Sequence, residues 1–126
     1  VSVHLKDMAV KSHERGFLLS EVPLGTGMVD LPGIVARLQK ENPDIEFGLE
    51  MITRDPLVIP CLENTYWATQ PEAPASQLAR TLAFVRQNEG RVTLPTVTGL
   101  ATSAGLALEE EHNRRSLTYA REKLGL

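Results

Sequence analysis

Two short segments, residues 1–7 and 45–52, alternate apolar and polar side chains, and a single segment with helical periodicity separates them. Val1, Val3 and Leu5 interleave with Ser2, His4 and Lys6; Ile45, Phe47, Leu49 and Met51 interleave with Glu46, Gly48, Glu50 and Ile52. That two-residue period belongs to a strand with one buried face. Between them, Leu31, Ile34, Val35 and Leu38 fall at i, i+3, i+4 and i+7, one apolar stripe of a helix. Asp30 is placed to cap that helix, and Pro32 sits in its first turn, where a missing N–H breaks no bond. Asn42, Pro43 and Asp44 stop it. Strands joined through a helix run parallel, so the pattern predicts an α/β fold built on a strand, loop, helix, strand unit. In a parallel pair His4 and Glu50 share the polar face, near the C-terminal ends of their strands. An imidazole beside a carboxylate is what a divalent metal or a general acid/base site needs.

The remaining segments are less regular. Residues 8–24 read as a long excursion, polar around Lys11 to Gly16 and apolar at Phe17, Leu18 and Leu19, and residues 23–30 read as a turn. Residues 57–67 form an apolar loop or short helix containing Tyr66 and Trp67, and residues 70–74 a proline-punctuated connector. A helix is predicted over 75–89, with Leu78, Leu82 and Val85 on one side and Gly90 at its end. Residues 94–99 are irregular. A last helix is predicted over 103–124, with i,i+4 pairs Glu110–Arg114 and Glu111–Arg115 and a buried stripe of Leu117, Ala120 and Leu124.

With 126 residues the chain suffices for one ordinary domain. Its 13 basic and 16 acidic residues are mixed, with no basic run, which argues against nucleic acid as the main partner. No apolar stretch approaches the roughly 20 residues of a membrane span. A single cysteine, Cys61, excludes an internal disulfide and fits a reducing cytoplasm. The chain opens directly on a strand, which suggests a piece of something longer; an edge strand at a processed terminus is the alternative. Two strands with helices on one side leave the face carrying His4 and Glu50 open. Completion by a missing N-terminal segment or by another chain is therefore expected, and a homo-oligomer is possible.

Three stretches carry a family resemblance: Val3-His4-Leu5-Lys6-Asp7, the run from Pro23 through Gly25, Gly27 and Asp30 to Ile34, and Leu49-Glu50-Met51. In that order they resemble the C-terminal part of the xylose-isomerase-like TIM barrels, the sugar phosphate isomerases/epimerases. The resemblance is clear over residues 1–55 and looser beyond. It implies the last two strands of a (β/α)8 TIM barrel with their helices, plus extra C-terminal helices. Residues 1–126 would then be one incomplete barrel segment, with the strand-loop-helix-strand unit at 1–52 and a loop and helices at 53–126.

It also implies one divalent ion (Mn, Mg, Co or Zn) bound by His4 from the seventh strand and Glu50 from the eighth. A further Glu and Asp of that family's site have no counterpart in this chain. Glu50 would double as the acid/base residue in proton transfer on a sugar or sugar phosphate, through an enediolate that the metal stabilises. Lys6 and Asp7 would contact substrate or pair with each other. Arg54 would hold a substrate phosphate or carboxylate through its fork, or pair with Asp55. A metal-dependent dehydratase or hydrolase on the same barrel is a second reading. A non-catalytic truncated α/β domain associating through its strand edges is a third.

Other signals are weaker. Gly25, Thr26 and Gly27 lack the preceding strand and third glycine of a phosphate loop and read as the turn into the helix. His13 beside Glu14, and Glu109 to Glu111 beside His112, lack a second histidine at i,i+4 and read as solvated. Cys61 reads as a packed thiol. Tyr66 and Trp67 line a pocket mouth or pack under the last helices.

Overall fold

The computed structural model describes residues 1–126. In chain order the elements are β1 Ser2–Leu5, β2 Asp7–His13, β3 Gly16–Val22, α1 Leu31–Glu41, β4 Glu46–Leu49 and β5 Leu57–Ile59, then a 3-10 turn Asn64–Trp67, α2 Ala75–Asn88 and α3 Thr102–Tyr119, which widens into a π-helical turn Ala120–Leu124. The strands form two sheets, a parallel pair β1–β4 and an antiparallel β2–β3–β5, which do not close into a barrel. The chain is an α/β domain.

The crossover unit is present as the alternation predicts. β1 and β4 pair in parallel with Ser2 opposite Glu46, Val3 opposite Phe47, His4 opposite Gly48 and Leu5 opposite Leu49. Asp30 accepts the Gly33 N–H at 3.1 Å and caps α1. Leu31 and Val35 are buried, Leu38 is half-buried, and Ile34 stays exposed, so the stripe is narrower than its spacing suggests. Leu5, Leu24, Leu31 and Val35 form the core cluster, and Phe47, Leu49, Tyr119, Ala120 and Leu124 pack against it. The chain's last turn therefore closes over the same side of the parallel pair as α1.

Three expectations are corrected. First, residues 8–24 are not a loop. β1 ends at Leu5, and β2 opens at Asp7 into a hairpin of two seven-residue strands, β2 and β3, that pairs Asp7 with Val22 and His13 with Gly16. Gly16 has φ +146°, and a side chain there would collide with the Ile59 carbonyl and Cys61, so the tip admits only glycine. β5 adds to β3, and α2 packs on the hairpin with Val85 and Asn88 buried. Second, the buried residues of α3 are His112 and Ser116, while Leu117 is exposed. Ser116 is fully buried; its hydroxyl donates to the His112 carbonyl at 2.8 Å and accepts the Leu24 N–H at 3.1 Å. Third, Arg114 pairs with Glu111, one helical turn at i,i+3, and not with Glu110.

No helix is long and apolar enough to cross a membrane. The accessible surface is 8232 Å², whereas a compact monomer of this mass exposes about 6,700 Å². Each strand of the parallel pair also has one unpaired edge. This chain carries more open surface than its size requires.

Candidate active site

Register and backbone bonding bring His4, Lys6 and Glu50 together at the C-terminal end of the parallel pair. The Glu50 N–H donates to the Leu5 carbonyl at 3.1 Å, carrying the ladder one bond past β4. Opposite His4 stands Gly48, whose missing side chain leaves the imidazole room; a Cβ there would lie 3.3 Å from the ring. The His4 Nδ1–H donates to Glu50 Oε2 at 2.9 Å, and Lys6 Nζ donates to Glu50 Oε1 at 2.7 Å. An ionised carboxylate only accepts, so Nδ1 carries the proton in this bond. The Lys6 ammonium, and after it His4, holds the Glu50 carboxyl below the usual carboxylate range. Glu50 in turn raises Lys6. At neutral pH the site is thus a carboxylate clasped by an ammonium and an imidazole. The side chains of His4 and Glu50 remain 65% and 42% exposed, within reach of a ligand.

The other expected residues divide. Lys6 pairs with Glu50 and, at 3.3 Å, with Glu21; it does not pair with Asp7. Asp7 is buried, and its carboxylate accepts four backbone N–H groups: Met8 at 2.9 Å and Val29 at 3.1 Å on Oδ1, Gly25 and Gly27 at 2.9 Å on Oδ2. A side chain on Gly27 would press on Asp7 and the Met8 carbonyl, which explains the glycine-rich turn as a wrapper for that carboxylate. Asp7 folds the loop and does not face the cluster of His4 and Glu50. Arg54 joins the cluster through Glu21, 3.5 Å away. It does not pair with Asp55, whose carboxylate instead accepts the N–H groups of Val97 and Thr98 and the Thr98 hydroxyl.

Glu21 is the member that the sequence reading missed. It is 4% exposed, accepts the Ile52 N–H at 2.9 Å on Oε2, and receives Lys6 and Arg54 on Oε1. Recognition of the hairpin would have found it, because the register sets Glu21 opposite Met8, two positions after Lys6.

The weaker signals resolve into packing. His112 is buried rather than solvated, with Nδ1 3.0 Å from the Thr53 hydroxyl, and burial pushes its imidazole toward the neutral form. His13 is half-buried and accepts the Arg15 N–H. The Cys61 thiol is buried and pushed up by that burial, which keeps it protonated. Tyr66 and Trp67 stack edge to face at 5.0 Å and line a hollow with Phe17, Cys61 and Leu78, away from Glu50.

His4 and Glu50 are the two donors available to an ion; no group of three His, Cys, Asp or Glu side chains converges anywhere in the chain. Their 2.9 Å separation is that of the hydrogen bond they share, so an ion taking both atoms would have to displace the Nδ1 proton. Imidazole nitrogen with carboxylate oxygen suits Mn²⁺, Co²⁺ or Zn²⁺, and the carboxylate suits Mg²⁺. Two donors from this chain fall short of a complete divalent site. No family model, curated protein or solved structure matches the chain.

Proposed function

We propose that this chain supplies the last two strands of a (β/α)8 barrel and half the metal site of a sugar or sugar-phosphate isomerase/epimerase. The observation that carries this reading is the meeting of His4 and Glu50 at 2.9 Å on the C-terminal ends of adjacent parallel strands. Barrel active sites are built at that end. A bound divalent ion would polarise neighbouring carbonyl and hydroxyl oxygens of the sugar and stabilise the charge of an enediolate. Glu50, ionised at neutral pH, takes the proton from the carbon beside the carbonyl. Lys6 donates a hydrogen bond to a substrate oxygen near that carboxylate. Arg54, 46% exposed and only loosely engaged with Glu21, has donors free for a phosphate. The surplus surface and the unpaired edges of β1 and β4 support a completing segment or chain that brings the other ligands. The lone buried thiol supports action in the cytoplasm.

The test is solvent deuterium uptake at the carbon next to the carbonyl, catalysed by the complete barrel to which this chain contributes and followed by NMR over a panel of ketoses and ketose phosphates with Mn²⁺. Uptake that depends on metal and disappears in Glu50→Gln is expected; uptake retained in Glu50→Gln sinks the assignment. The same open edges favour a second reading, an α/β domain that associates without catalysis. Scattering by the purified chain separates this reading, since a monomer at all concentrations removes it.

A further inference from the structure

We infer that the open edge of β2 binds a short extended peptide, gripping a single residue of it through the N–H and C=O of Val10. β2 lies at the edge of its sheet and is paired on one side only. On the other side the Met8 carbonyl accepts the Met28 N–H at 2.8 Å, and the Ser12 N–H donates to Glu89 Oε2 at 2.8 Å. Backbone groups along an antiparallel strand alternate between its two sides, so Val10, midway between Met8 and Ser12, directs its N–H and C=O to that open edge. They meet no partner there, although Val10 is only 3% exposed. Backbone groups buried without a partner are rare in native proteins, and each calls for an occupant or an ordered water.

A hollow of about 690 Å³ borders Val10. A water molecule takes about 30 Å³ in the liquid, so the space admits far more than one. Leu18, Pro56, Val92 and Leu94 give it apolar walls, and none of its lining residues belongs to the cluster around Glu50. Val92 and Leu94 lie in a segment, residues 91–96, that makes no backbone–backbone hydrogen bond, so this wall also offers free N–H and C=O groups. Lys11 and Glu89 add one charge of each sign, which leaves the lining neutral overall. Apolar walls with a few unpaired backbone groups fit an uncharged peptide segment carrying an apolar side chain. The same geometry limits its length. A longer strand laid antiparallel on β2 would next need the groups of Met8 and Ser12, and Met28 and Glu89 already occupy them. One residue with a peptide group on each side is the match: its C=O accepts the Val10 N–H, and its N–H donates to the Val10 C=O.

The experiment titrates the isotope-labelled full chain with N-acetyl-leucine methylamide and follows the backbone amide resonances by NMR. Saturable shifts at Val10 and at residues 92–94 are expected. The Kd should be in the millimolar range, roughly what a ligand of about 13 non-hydrogen atoms reaches. A second probe carries a methyl group on the leucine nitrogen and has no proton to give the Val10 carbonyl. It should bind at least roughly fivefold more weakly, because a buried acceptor is then left unpaired. Equal binding of the two probes would reduce the hollow to an apolar crevice and overturns the proposal. Shifts confined to other residues overturn it as well, and so does the absence of any saturable shift at tens of millimolar.

Discussion

Replacing Asp7 by Asn separates a residue that builds the loop from one that contacts substrate. The Asp7 carboxylate accepts two N–H groups on each oxygen. An asparagine keeps one carbonyl oxygen and presents an NH₂ group where the other stood, so two backbone donors meet a donor whichever way the amide turns. Hydrogen bonds to a charged group contribute about 1.5–3 kcal/mol each, and the two that survive become neutral and weaker. Water can reach some of the freed donors, because Gly25 is exposed and Gly27 and Val29 are half-buried. The expected loss is therefore on the order of 3–5 kcal/mol, a large part of the stability of a small domain. With a urea slope of about 1–3 kcal/mol/M, the unfolding midpoint should fall by roughly 2 M. Circular dichroism across a urea series measures it, and amide exchange at Gly25, Gly27 and Val29 should accelerate in the same variant. An unfolding free energy within about 0.5 kcal/mol of wild type, the range of an ordinary surface change, would refute the structural assignment and return Asp7 to the substrate side.

Three further outcomes follow from the same contacts. Ser116→Ala removes the acceptor of the Leu24 N–H in a fully buried position and should destabilise by about 1–3 kcal/mol in the same urea assay. The folded pKa of His112 lies below its unfolded value of about 6.5, so the unfolded chain binds more protons. Stability should hold above that pH and decline as pH falls from there through the lowered folded value, and His112→Gln should flatten the decline in urea midpoints taken between pH 7.5 and 5. Asp55→Ala should release residues 97–98, seen as faster deuterium exchange at Val97 and Thr98 with the Lys6–Glu50 pair unaffected.

What the sequence revealed and what it hid have physical causes. α1 was legible because its signals are local: a capping Asp30, an early Pro32 and an apolar repeat within eight residues. The approach of His4 to Glu50 followed from strand alternation plus the parallel sense that a helical crossover imposes. The hairpin was hidden because Lys11 to Arg15 interrupt the apolar alternation at its tip, and because pairing across a turn leaves no local periodic mark. Asp7 was misread for a different reason. Its partners are backbone N–H groups, which carry no residue identity, so its four bonds leave no trace in the pattern. Arg54 was weighed against its neighbour Asp55, yet the nearer carboxylate in space came from β3. Leu117 satisfied the apolar spacing of α3, but the close approach of the loop at Leu24 needed a small side chain with a hydroxyl, and Ser116 provides it.

The proposed function turns on His4 and Glu50 supplying two ligands of a divalent-ion site at the end of the parallel pair. Substoichiometric Mn²⁺ added to isotope-labelled protein tests it directly, because the ion broadens the amide resonances nearest to it. Selective loss of signals from residues 3–6 and 47–51, abolished by His4→Ala, is the predicted result. Broadening that is uniform, or centred on the acidic run at Glu109 to Glu111, would contradict it.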